Sequence, residues 1–467
     1  MFKKVLVANR GEIAVRIIRT LKEMGIKSVA IYSTADKDSL HVRLADEAVA
    51  VGGPRSKDSY LNMKNVLSAA LLLGAEAIHP GYGFLAENEL FVEMAEAVGL
   101  KWIGPNPKVI ELMGNKANAR ESMRKAGVPV IPGSDGFIMS TAEAEEVAKR
   151  IGFPLLIKAA AGGGGKGMRF VYNADELDSK FADAQNEARA SFGDDHMYIE
   201  KVMTHVRHIE MQVIRDQQGN VVYFPERNCS LQRNNQKVLE ESPALGVTQA
   251  MRENLGDIAK KAVDAIDYEN TGTLEFLQDH EGNFYFMEMN TRIQVEHPVT
   301  EMVTGLDLIK MQIEVAAGLP LAVAQKDVVV QGYSMEVRLN AEAPERNFAP
   351  SAGTIDFAFL PTGGPGIRID SGIYPGAKIS PFYDSMIAKL LVHADTRELV
   401  LTKMTRVLDE LVIHGVDTNA DFQHELLCDP SVMRGEFDTR YLEKEFLPRW
   451  QKTSPLAELG GGDGFIQ

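Results

Sequence analysis

The chain has 467 residues, 45% apolar and 25% charged, with a formal net charge of −15. That length and balance suit a globular protein of two to four domains, and the acidity argues against general nucleic-acid binding. No apolar run reaches membrane-spanning length, no apolar signal region precedes the first strand pattern, and Cys229 and Cys428 are too few for a disulfide framework, so a reducing cytoplasm is expected.

Strand and helix patterns alternate from the start, with a strand at 4–8, a helix at 12–24 and a strand at 28–32. This is the signature of a parallel α/β sheet, and it runs to a boundary near Pro105-Asn106-Pro107. The turn Asn9-Arg10-Gly11-Glu12 lacks the spaced glycines of a dinucleotide fingerprint. Further on, a buried strand at 153–157 leads into Lys158, then Gly162-Gly163-Gly164-Gly165-Lys166-Gly167-Met168. Consecutive glycines let backbone N–H groups approach phosphate oxygens, and the two lysines add positive charge. Gly167 follows Lys166 where a Walker A loop has Ser or Thr. A flexible linker is also glycine-rich, but the preceding strand and flanking lysines favour a mobile phosphate-covering lid.

Strands at 273–278 and 284–290 flank His280-Glu281-Gly282-Asn283, which reads as a four-residue hairpin turn. Pairing Asp279 with Phe284 places Glu275 opposite Glu288, and alternation puts Asn290 on the face of Glu288, away from Met287 and Met289. Two facing carboxylates repel unless a cation lies between them, and all-oxygen ligands suit Mg²⁺ or Mn²⁺. The segment continues through Arg292, Gln294 and Glu296, a set able to grip an anion. A structural ion pair between Arg292 and Glu296 would carry the same pattern. From Ser334 the chain turns strand-rich; Met335, Val337 and Leu339 face a core, so Arg338 points to the opposite, open face. A helix at 397–411 and a glycine-rich end at 459–464 close the chain.

These motifs, with Val5-Leu6-Val7-Ala8-Asn9-Arg10-Gly11-Glu12-Ile13-Ala14 and His79-Pro80-Gly81-Tyr82-Gly83-Phe84-Leu85-Ala86-Glu87-Asn88, resemble the ATP-grasp enzymes and, within them, biotin carboxylase. The resemblance covers nearly the whole chain. It implies an α/β and α+β architecture: an N-terminal parallel-sheet (pre-ATP-grasp) domain over 1–113, an ATP-grasp domain over 114–333 with a mobile lid at about 131–203, a mixed β-rich C-terminal domain over 334–446, and a flexible tail over 447–467. The implied activity is ATP-dependent carboxylation of biotin N1′ by bicarbonate.

By resemblance, Lys116, Lys158, Gly163, Gly164, Gly165, Lys166, Met168, His208, Gln232 and Leu277 hold ATP. Glu200, Lys201 and Met203, just after a strand at 197–199, form the adenine hinge. Glu275, Glu288 and Asn290 ligate Mg²⁺ or Mn²⁺, with two ions expected. Arg292, Gln294, the Val295 N–H and Lys237 hold bicarbonate, and Glu296, beside Arg292 on the same strand, is the base. Arg338 stabilises the biotin enolate, and Tyr82 with Gly83 helps form the biotin pocket. One departure stands out: the family's Gln-Arg-Arg-His-Gln-Lys is here Gln232-Arg233-Asn234-Asn235-Gln236-Lys237, so Asn235 replaces a ribose-contacting histidine. The chain lacks the Ala-Met-Lys-Met that bears biotin, and Lys310-Met311 has no preceding Ala-Met. Biotin is therefore expected on a separate carboxyl carrier protein, with carboxyltransferase subunits as further partners, a homodimer as the assembly, and no nucleic acid or membrane. The acceptor, acetyl-CoA or alternatively pyruvate or propionyl-CoA, is not encoded here. An inactive nucleotide-binding scaffold, with Asn234-Asn235 marking decay, remains the competing reading.

Overall fold

A computed structural model describes residues 1–159 and 167–453. Five parallel strands open the chain, in the order Glu47–Gly52, Lys27–Ser33, Lys4–Val7, Ala77–His79 and Lys101–Trp102. Val5, Leu6 and Val7 are 0% exposed, because helices cover both faces of the sheet. The order of connection reverses between the first and fourth strands in sequence, and ligand crevices form at such switch points. There the loops after the two strands are tied together: Asn9 Nδ2 donates to the carbonyls of Pro80 and Tyr82, each at 2.7 Å. Gly81, at φ +61°, allows that closeness, since a Cβ would meet Asn9 Nδ2 at 3.0 Å.

The second sheet is antiparallel and runs, strand by strand, Phe284–Asn290, Asn270–Gln278, Arg207–Arg215, Arg227–Arg233, Gln236–Ser242, Tyr333–Asn340, Met386–Ala394 and Ile367–Ser371. It therefore passes without a break from the hairpin to the β-rich part of the chain, and the two parts meet where Gln236–Ser242 pairs with Tyr333–Asn340. One face packs on Ile209, Met211, Leu274, Phe276 and Met289; farther along, Leu231, Leu239, Met335 and Val337 join a second core. A third, smaller sheet, Met168–Val171, Leu155–Ala159 and Met197–Lys201, packs on helices Thr141–Ile151 and Leu177–Phe192 around its own core of Ile157, Phe181 and Ile199. A capping box between Ser140 and Glu143 starts the first of these helices.

The structure corrects several expectations. The strand expected at 197–199 continues to Lys201, so Glu200 and Lys201 lie within it. The strand Phe284–Asn290 stops before Arg292, and Glu296 sits at the N-cap of helix His297–Thr304, with Pro298 in its first turn. The tail expected from residue 447 is corrected over its first seven residues: Leu447–Thr453 is helical, and Trp450, 4% exposed, packs against Phe422. Residues 454–467, with the rest of that tail, lie outside the described residues, as do Gly163, Gly164, Gly165 and Lys166.

Candidate active site

Three carboxylates form a row across three strands, since Glu275 is the register partner of both Glu210 and Glu288. The Glu275–Glu288 pairing is the expected one, reached by another route. Gln278, and not Asp279, pairs with Phe284, so the turn is one residue longer, and a bulge between Glu275 and Phe276's partners restores the register. Like charges placed opposite one another need cations. Lys237 Nζ meets Glu210, Glu275 at 3.2 Å and Glu296 at 2.5 Å. His208 Nε2 lies 3.0 Å from Glu210 and 3.1 Å from Glu275. Lys116 pairs with Glu288 at 2.9 Å, and buried Arg227 reaches Glu210 at 3.2 Å while donating to Gln294.

The hairpin Asn234-Asn235 sets the position of Lys237. Both asparagines have positive φ, 50° and 61°, and Arg233 pairs directly with Gln236. That is the backbone of a two-residue I′ turn, where asparagine is among the preferred residues. The departure at Asn235 is thus well suited to the turn. It also fixes Gln232 opposite Lys237, and the Gln232 amide nitrogen lies 3.0 Å from His208 Nδ1.

The charges are strongly coupled. Burial alone would push His208 down, but the Glu275 carboxylate and its bonds to Glu210 and Glu275 raise it to about 9. Burial would raise Glu210, yet Lys237, His208 and Arg227 hold it at about 2. Glu296 is likewise pulled below the ordinary carboxylate range against burial, chiefly by Lys237 and then Arg338. It is therefore a carboxylate at neutral pH, the form a base requires.

Arg338 is not on an open face. Its side chain is 16% exposed and lies between Glu240 and Glu296, at 2.5 Å and 3.1 Å. Among the described residues Arg292 and Glu296 do not form an ion pair with each other. The Arg292 Nε pairs with Glu87 at 2.9 Å, a terminal nitrogen donates to Asn290 Oδ1 at 2.8 Å, and the Thr291 N–H also donates to Glu87. Glu296 is the N-cap residue of a helix and does not continue the strand, and its ion-pair partners are Lys237 and Arg338.

A cleft of about 510 Å³ connects these groups to the parallel-sheet layer, lined by Tyr82, Gly83, Lys237, Val295 and Arg338 among others. On the small third sheet, Lys158 pairs with Glu200, Lys201 donates to the Phe153 carbonyl at 2.6 Å, and Met168 is exposed. Met203 follows in the connecting loop, and Leu277 is the register partner of His208. Glu275, Glu288 and the Asn290 amide oxygen lie on adjacent strands and offer oxygen donors only, a set that fits a hard divalent ion.

Three consecutive stretches match family models: "Biotin carboxylase, N-terminal domain" over residues 1–110, "Carbamoyl-phosphate synthase L chain, ATP binding domain" over 115–324, and "Biotin carboxylase C-terminal domain" over 336–444. Biotin carboxylase 1 of Bacillus subtilis (strain 168) is 52% identical over 444 residues, covering 95% of this chain and 98% of that protein. The chain belongs to the biotin carboxylase family. Solved structures of this family agree. The biotin carboxylase domain dimer of Hydrogenobacter thermophilus 2-oxoglutarate carboxylase, in complex with MgADP, ADP and bicarbonate, matches with TM-score 0.88 at 50% identity, covering 95% of this chain and 98% of that one. A Campylobacter jejuni biotin carboxylase in complex with β-γ-ATP matches with TM-score 0.89 at 46% identity, covering 95% and 99%.

Sequence reasoning missed Glu210, Arg227, Glu240 and Glu87 in this biotin carboxylase site. A readable signal existed for Glu210, because His208, Glu210 and Gln212 alternate with apolar Ile209, Met211 and Val213. Glu240 and Glu87 gave none, since their partners are 98 and 205 residues away.

Proposed function

We infer that this enzyme carboxylates biotin N1′ with bicarbonate at the expense of ATP, through carboxyphosphate, as the first half-reaction of acetyl-CoA carboxylase in fatty-acid synthesis. The observation that carries the reading is the ionised Glu296, held between Lys237 and Arg338, which line the cleft together with Tyr82 and Gly83. In this reading Glu296 takes the bicarbonate proton, and the resulting oxyanion attacks the γ-phosphorus, releasing ADP. Carboxyphosphate splits into CO₂ and fully ionised phosphate, the phosphate takes the proton from biotin N1′, and the resulting ureido anion attacks CO₂. Arg338 neutralises the charge on the ureido oxygen, while Arg292, Gln294, the Val295 N–H and Lys237 hold the anion.

Glu275, Glu288 and Asn290 would hold Mg²⁺ or Mn²⁺, which when bound neutralises phosphate charge. Lys116, Lys158, Met168, Glu200, Lys201, Met203, His208, Gln232, Asn235 and Leu277 would surround the nucleotide, with the small third sheet as the lid. The division at 113 and 333 belongs to the same proposal, with the last domain carried on through the helix Leu447–Thr453. So do a cytoplasmic location, biotin delivered on a carrier protein, carboxyltransferase partners and a homodimer; no helix among the described residues is long and apolar enough to cross a membrane. Relatives of similar identity include a 2-oxoglutarate carboxylase component, so acetyl-CoA is proposed as acceptor on the wider resemblance alone. The test is ADP release from ATP and Mg²⁺. Bicarbonate should be required and free biotin should accelerate it; a rate indifferent to both would leave only a nucleotide-binding scaffold.

A further inference from the structure

Arg338 has an acidic neighbour for which the proposed chemistry has no use. Strands Gln236–Ser242 and Tyr333–Asn340 pair so that Glu240 faces Glu336, and both side chains are 0% exposed. Arg338 lies two residues beyond Glu336 on the same face. Its Nε donates to Glu240 Oε1 at 2.6 Å, and a terminal nitrogen lies 2.5 Å from that same oxygen. The same terminal nitrogen reaches Glu296 at 3.1 Å. One carboxylate oxygen thus grips two guanidinium nitrogens and aims the group at Glu296.

The remaining Glu240 oxygen and both Glu336 oxygens are buried with no hydrogen-bond partner among the described residues. Burial, with the Glu296 charge, raises Glu240 to about 7 against the pull of Arg338, and burial holds Glu336 well above the usual range. Lys389, another cation on this face, pairs with Glu12 at 3.1 Å and donates to the Val295 carbonyl at 2.9 Å. Burying such a set is costly, and a long arginine side chain gains orientation only where a charge-assisted bond fixes it.

We propose that Glu240 is a positioning residue for the biotin half of the reaction: it holds the Arg338 guanidinium at the cleft. This rests on the biotin carboxylase reading of the site. Glu240→Gln and Glu240→Asp are each assayed for bicarbonate-dependent ADP release with and without free biotin, beside a melting curve. In both variants the ratio of biotin-dependent to biotin-independent rate falls at least about tenfold, as displacement of an oriented group by an ångström does. Glu336→Gln, opposite Glu240 but without a bond to the guanidinium, keeps that ratio within about twofold on the same reasoning. Two rates falling in proportion, or with the melting temperature, would reduce Glu240 to a support of the fold and overturn the proposal. An unchanged ratio in the Glu240 variants overturns it as well. A wild-type protein with no biotin-dependent rate would instead defeat the underlying function.

Discussion

Glu296 shows how a side chain's role follows from what surrounds it. A buried carboxylate would ordinarily gain a proton, but Lys237 at 2.5 Å and Arg338 at 3.1 Å keep this one ionised. Removing a positioned base costs about 10²–10⁴-fold in rate. Glu296→Ala should lower bicarbonate-dependent ATP cleavage by that much while ATP affinity, measured by calorimetry, stays near wild type. An equal loss of affinity would reassign the residue to the nucleotide. Arithmetic along the chain put Glu275 opposite Glu288, although its register at the turn was off by one residue and a bulge it did not foresee restored the pairing. It was not enough to find Glu240 or Glu87. Nor could it show that Arg338 is partly buried between two carboxylates, since alternation reports which face a residue takes and not what covers that face.

At the scale of elements, the hairpin of Arg227–Arg233 and Gln236–Ser242 sets Gln232 and Lys237 opposite each other. Sequence comparison alone cast Asn235 as a lost ribose contact; the positive φ values of Asn234 and Asn235 supply a conformational reason for asparagine there. Histidine tolerates this region better than most residues, so Asn235→His should fold normally. One hydrogen bond exchanged for another changes the KM for ATP by at most roughly tenfold, with the bicarbonate KM unmoved. Asn235→Val, forced into a left-handed conformation, should lose about 1–2 kcal/mol by chemical denaturation. A shift confined to the bicarbonate KM would mean that this turn reaches the reacting centre. The helix beginning at His297 is the companion case: a polar run that reads as a continued strand stops at Asn290, and the turn after it redirects Glu296 towards Lys237.

Across the whole molecule, the cleft joins the parallel sheet to the long antiparallel sheet, so its integrity depends on both layers. The parallel layer carries a pH liability. Burial lowers His41 to about 4 and His79 to about 3, each fully enclosed. The unfolded chain protonates such histidines near pH 6.5, so their contribution is present above that pH and is lost as pH falls towards 4 and 3. Each costs up to about 1.4 kcal/mol per pH unit within its window. The melting temperature should drop between pH 7 and pH 5, and His41→Gln should narrow the drop; a flat profile would refute the assignment. The fold class was legible throughout, because both periodicities are strong and local. The single sheet that runs from the hairpin into the β-rich part was not, since its central pairing joins strands almost a hundred residues apart.

One site activates bicarbonate with ATP and delivers it to biotin. The most direct measurement is transfer of label from bicarbonate to free biotin in the presence of ATP and Mg²⁺. Labelled carboxybiotin, dependent on both, is expected, and is lost in Glu296→Ala and Arg338→Ala. ATP turnover with no label ever reaching biotin would contradict it.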